Sequence, residues 1–184
     1  MAPILGILAS QMTGHLYPTT GYVSLASTTV GSGGASSITF SGIPQTYKNL
    51  QIRGTTPFQG FVNGVYVRAN GDSGTNYTFH QLYGTGSAAG SNSDVSQTWA
   101  SISVSSGASG YNAVSVTDIF DYTNTNKYKT FRSLTGQDTN GSGAISLRSG
   151  LWLSTAAITS LTISFDNSKD FTQYTTFALY GIQG

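Results

Sequence analysis

From residue 21 onward, apolar and polar side chains alternate along the chain, and clusters of Gly, Asn, Asp and Ser break the alternation at short intervals. Leu50 and Ile52 fall on one parity, with Gln51 and Arg53 on the other. Val65, Val67 and Ala69 alternate with Tyr66 and Arg68, and Ile102 and Val104 with Ser101 and Ser103. Near the C-terminus Leu161, Ile163 and Phe165 alternate with Thr162 and Ser164, and Phe177 and Leu179 with Ala178 and Tyr180. A strand sends successive side chains to opposite faces, so this two-residue period marks half-buried β-strands. Strands are predicted over 22–30, 36–41, 47–54, 61–69, 77–84, 97–104, 112–120, 127–134, 143–153, 158–166 and 174–182. Between them Asn63-Gly64, Asn70-Gly71 and Asn140-Gly141 have the chemistry of tight turns, while GSGG at 31–34, GTGSAAGSNSD at 84–94 and SSGASG at 105–110 read as connections. So many short strands fit two packed sheets better than one open sheet with long bare edges. The fold expected is an all-β sandwich of jelly-roll type over residues 21–184, preceded by a short N-terminal arm, residues 1–20.

The segment AVSVTDIF does not alternate cleanly. Val114, Val116 and Phe120 share a parity with Asp118. If the valines face inward, regular pairing carries a carboxylate inward with them. A bulge after Thr117 that resets the face is the expected resolution; a buried, hydrogen-bonded Asp118 and a functional acid are the alternatives.

Composition supports the β reading. The chain of 184 residues has 23 Gly, 26 Ser and 25 Thr, and all seven of its acids are Asp. Exposed helices are built from Glu, Lys, Arg, Leu and Ala, whereas Ser, Thr, Tyr, Val and Gly suit strands and turns. Charged residues are 8% of the total, against roughly 25% in an ordinary domain. With a net charge of +1 and scattered basic residues, no patch for nucleic acid or an anionic membrane is expected. Eleven Tyr, nine Phe and two Trp argue against disorder. Zero Cys rules out disulfides, thiolate chemistry and Cys-ligated zinc.

The N-terminal MAPILGILASQMTG has an apolar cluster but no Lys or Arg before Lys48, and the apolar run is short, so it reads as neither a signal peptide nor a membrane span. Ile4, Leu5, Ile7, Leu8 and Leu16 are costly to leave in water, and the arm is expected to dock either on its own domain or on a partner.

Candidate chemistry is sparse. Gly71-Asp72-Ser73-Gly74 imitates the motif around a serine-protease nucleophile, but the only upstream His is His15 and no acid lies between it and Asp72, so a tight turn is expected. His80 is expected to be structural or exposed. A glycosidase pair would have to come from Asp118, Asp121, Asp138, Asp166 or Asp170, and solvated turn acids are the expected reading. Trp99 and Trp152 sit in strand-like runs and are expected as core or interface residues, with stacking against a sugar as the alternative. No metal or other cofactor is expected, and no enzymatic activity.

Taken in order, MAPILGILASQMTG, SSITFSGIP, YKNLQIRG, RANGDSGTNYTFHQLYG, DYTNTNKYKTFRSLTG, GSGAISLRSGLWLST and FALYGI resemble a group of virion structural proteins of tailed bacteriophages, frequent among phages of aquatic bacteria including cyanobacteria. The resemblance implies a non-enzymatic particle component located in the virion, a homotrimer with a jelly-roll-like domain. Its expected partners are further copies of itself and the major capsid protein or another virion protein, which the arm would grip. Capsid decoration or cementing is the leading expectation. The alternative is a receptor-binding module of a tail or head fibre, holding a host surface glycan through aromatics in the 55–63 or 84–110 loops.

Overall fold

A computed structural model describes residues 21–57, 64–103, 110–165 and 169–184. The arm, with Ile4, Leu5, Ile7, Leu8 and Leu16, lies outside the described residues, as does His15. The described chain is all β. Its strands are β1 (Tyr22–Thr29), β2 (Ser37–Phe40), β3 (Asn49–Pro57), β4 (Val65–Ala69), β5 (Tyr77–Gly84), β6 (Ala89–Gln97), β7 (Ala100–Ser103), β8 (Asn112–Phe120), β9 (Lys129–Asp138), β10 (Gly143–Trp152), β11 (Leu161–Phe165) and β12 (Thr176–Ile182). They form an eight-stranded sheet in the order β1-β12-β3-β8-β9-β10-β5-β6 and a four-stranded sheet in the order β2-β11-β4-β7, arranged as a sandwich. Every pairing is antiparallel.

The core is built by the parities read from the sequence. Leu50, Ile52, Val65, Val67, Ile102, Leu161 and Ile163 have no exposed surface. Phe165, Phe171 and Phe177 pack in series, with ring centroids 4.6 and 5.6 Å apart. Turn chemistry works as expected at Asn70-Gly71 (φ 51° and 69°) and at Asn140-Gly141 (φ 56° and 107°). At Asn140-Gly141, which joins the paired strands β9 and β10, the two positive φ values suit the right-handed twist of the hairpin.

Two expectations need correction. The stretch 84–94, read as a connection, contains most of β6. Nearly all of its side chains are open to water, so the strand has no apolar parity to betray it. It is held by backbone pairing to β5 at the edge of the large sheet, and its polar composition blunts that edge.

The second correction concerns β8. No bulge follows Thr117, and the register runs unbroken against β3 and β9. The parity assignment was inverted: Ala113, Ser115, Thr117 and Ile119 are buried, while Val114 and Val116 are 53% and 40% exposed. Asp118 therefore faces outward with the valines, and no carboxylate enters the core. Short hydroxyl side chains fill the buried side instead, paired across strands as Thr117 with Ser133 at 2.9 Å and Thr135 with Ser146 at 3.0 Å. Hydrogen bonding to each other removes most of the cost of burying them.

Candidate functional site

The outward faces of β8, β9, β10 and β5 form a regular lattice. Val116 lies opposite Leu134, Leu134 opposite Leu147, and Leu147 opposite Leu82, so four aliphatic side chains cross four strands in one row. A parallel row runs Val114, Gly136, Ile145, Gly84. Leu82, Leu134 and Ile145 are each more than half exposed, and Leu147 nearly so. Scattered apolar residues on a surface need no explanation, but a contiguous patch marks an interaction site. Here the usual amphipathicity is reversed, with hydroxyls inside and aliphatics outside.

A polar row, Gln51, Asp118, Arg132, Ser149 and His80, borders the patch on one side. Gln51 Nε2 donates to Asp118 Oδ1 at 2.8 Å and Arg132 Nη2 to Asp118 Oδ2 at 2.7 Å, while Arg53 Nε donates to Gln51 Oε1 at 2.7 Å. Arg53 also stands over the rings of Tyr180 and Tyr22, at 4.7 and 5.2 Å. Asp118 is thus an acid engaged by neighbours on its own sheet. His80, exposed as expected, borders a shallow depression of about 490 Å³ with Leu82, Leu147, Ser149 and Ser93.

On the other sheet, a trough of about 430 Å³ is lined by Trp99, Tyr66, Arg68, Ser37, Thr162 and Ser164. Trp99 stacks on Tyr66 with ring centroids 3.6 Å apart, and Arg68 Nε donates to Thr98 O at 2.9 Å. Trp152 is 2% exposed, so of the two tryptophans only Trp99 is placed to meet a ligand. Of the aromatics in the 55–63 loop, Phe58 and Phe61 lie outside the described residues.

Asp72 and Asp121 are engaged by neighbours; Asp138 accepts from Asn140 N at 2.8 Å, Asp170 is exposed, and Asp166 lies outside the described residues. Asp72 closes the turn after Asn70-Gly71: its carboxylate accepts from Trp152 Nε1 at 2.7 Å, Asn76 Nδ2 at 2.9 Å and Gly74 N at 2.8 Å. The indole hydrogen bond is the main reason its carboxyl is held below the ordinary range. Asp121, at φ 47°, bridges Lys127 at 2.5 Å and Lys48 at 2.7 Å. Those two ammonium groups, Lys127 first, lower its pKa to about 2.

Sequence reasoning missed the fully buried Lys129. Its ammonium donates to the carbonyls of Asn124, Lys127 and Thr155 at 2.6, 2.9 and 3.1 Å, and burial pushes its pKa down. Among the described residues no group of three His, Asp, Glu or Cys side chains could hold a metal ion, and no helix is long and apolar enough to cross a membrane. Comparison with known proteins found no matching family model, no matching curated protein and no matching solved structure. Fold and site together define an all-β sandwich with an apolar outer sheet face.

Proposed function

We propose that the chain is a non-enzymatic structural protein of a tailed-phage virion, a homotrimer that decorates and cements the head by binding the major capsid protein or another virion protein. The observation that carries this reading is the outward row Val116, Leu134, Leu147 and Leu82. A protein that works by assembly must offer apolar surface to a neighbour, and this face does so without placing a charge in the row. The resemblance to phage virion proteins supplies the setting.

The jelly-roll form belongs to the same proposal, and strand order supports it. Taking β2–β8 and β11 as an eight-strand frame, the small sheet sets first beside last and third beside sixth. The large sheet sets second beside seventh and holds fourth beside fifth, the pairing of two interlocked Greek keys. Hairpin β9–β10 is then an insertion between β8 and β5 that widens the large sheet and carries Leu134 and Leu147.

The test is to quantify the protein in purified particles by mass spectrometry and to locate it with an antiserum raised against the recombinant chain. Hundreds of copies on the head are expected. A handful at a tail or fibre tip would favour the alternative, and absence from particles would refute a virion role.

One specific place favours the alternative, a fibre module holding a host surface glycan. The Trp99 trough joins an aromatic face to a guanidinium and several hydroxyls, the mixture of stacking surface and hydrogen-bonding groups that orients a polar ligand in a concave site.

A further inference from the structure

We infer that the outer face of β8, β9, β10 and β5 is where copies of this chain meet, with Ile145 of one copy seated against the glycine-floored hollows of another. The inference rests on the assembly reading above and goes beyond it by naming the surface and its occupant.

The first argument is area. Leu82, Val114, Val116, Leu134, Ile145 and Leu147 leave between 40% and 61% of their surfaces in water, which amounts to on the order of 500 Å² of apolar surface, at the upper end of the ~300–600 Å² of a typical monomer's largest patch. Two such faces brought together remove about 1,000 Å² from water, the area at which contacts become specific interfaces. A sheet face is nearly flat and packs well on another sheet face.

The second argument is shape. Ile145 stands between two hollows of about 240 and 250 Å³, one over Gly84 and the other over Gly136. Neither glycine is demanded by its own chain. Gly136 lies inside unbroken registers, Gly84 closes β5 opposite Ile145 and Ala89, and neither has a positive φ. A Cβ at Gly136 would meet only Ala144 O at 3.8 Å, and one at Gly84 nothing nearer than 3.9 Å. Gly54 shows what an internal demand looks like, since a Cβ there would lie 2.3 Å from Phe177 Cε1.

Glycine weakens a strand interior and marks a place where another chain or ligand approaches closely. Two uncompelled glycines on either side of a protruding isoleucine make the face a ridge between two grooves. A second copy supplies the complementary ridge. The polar row through Asp118 and Arg132 then forms a rim, leaving the centre free of charge, as in protein interfaces generally.

The test uses the full chain in sedimentation velocity over about 1 to 100 μM, with circular dichroism as the check on folding. Wild type should self-associate. Leu134→Thr with Leu147→Thr, and separately Gly136→Val, should each weaken association at least about tenfold. Gly136→Val should leave the melting temperature of the dissociated chain unchanged or higher, because a β-branched residue replaces a strand glycine. That combination separates an interface role from simple destabilisation, and it decides the matter if the leucine double variant fails to fold. A wild-type chain monomeric throughout would overturn the inference. So would variants that assemble as tightly as wild type, in which case the contact between copies lies elsewhere on the chain. Presence or absence in particles reports on the virion role independently.

Discussion

Trp152 and Asp72, eighty positions apart in sequence, are joined by a 2.7 Å hydrogen bond from the indole Nε1 to the carboxylate. The bond fastens the end of β10 to the turn between β4 and β5, beneath the stacked pair Tyr77 and Trp152, whose centroids are 6.3 Å apart. Trp152→Phe keeps an aromatic ring but removes the donor from a charged acceptor. The expected loss is about 1.5–3 kcal/mol, read as a lower urea midpoint with unchanged slope.

Lys129→Met should also be costly. It keeps the aliphatic stem but leaves the carbonyls of Asn124, Lys127 and Thr155 without their common donor. Lys127 and Thr155 are exposed residues whose carbonyls water partly satisfies, so a loss of about 1–3 kcal/mol is expected in denaturant titration.

Acid should weaken the fold through Asp121. Its folded pKa of about 2 lies below the ordinary 3.8, so the stabilisation is full above about pH 5 and is lost as pH falls toward 2. Asp121→Asn should flatten that part of the stability profile. Asp72, held low mainly by the Trp152 indole, keeps a residual slope of the same sign. The lysines that pair with Asp121 are more than half exposed, so added salt should shrink the Asp121 contribution.

Asp118→Asn tests the acid that seemed most suspicious in the sequence. Its carboxylate is 18% exposed but its partner Arg132 is 57% exposed, which keeps the pair close to the ~0–1 kcal/mol of surface pairs, and Asn retains an oxygen to accept from Gln51 Nε2. Thermal denaturation should therefore shift by only a few degrees. A collapse of the fold would contradict the outward placement of Asp118.

Trp99→Ala separates the two readings of function. If the chain is a decoration protein, binding to particles lacking it should survive the substitution. If it is a glycan-binding module, tryptophan fluorescence should respond to host surface polysaccharide in wild type, and the response should vanish in the variant.

The parities at Leu50, Val65, Leu161 and Phe177 revealed the core because two or more successive positions of one parity in each of those strands are aliphatic or aromatic and buried. Strand β5 was legible to its ends, 77–84, for the opposite reason of clear turns on both sides. In β8 both parities could be buried: Ala113, Ser115 and Thr117 are small enough to pack inside, and Val114 and Val116 look as if they should. One strand cannot resolve this. The same Ser/Thr parity in β9 and β10, with Leu134, Ile145 and Leu147 opposite it, is the signal that could have. Lys129 was illegible because its partners are main-chain carbonyls, whose convergence depends on how two loops are folded and on no side-chain pattern.

Strand β12 lies between β1 and β3 and pairs with both. Until residues 176–182 have been synthesised, β1 has no neighbour in the sheet and the corresponding edge of β3 is bare. The nascent chain must therefore keep an incomplete large sheet soluble until β12 has been made, and sequence-distant pairing of this kind is slow and exposed to aggregation. The run Ser27, Thr28 and Thr29 that ends β1 then acquires a kinetic meaning: β1 is the strand that waits longest, and its hydroxyls limit the apolar edge to Val23, Leu25 and Ala26.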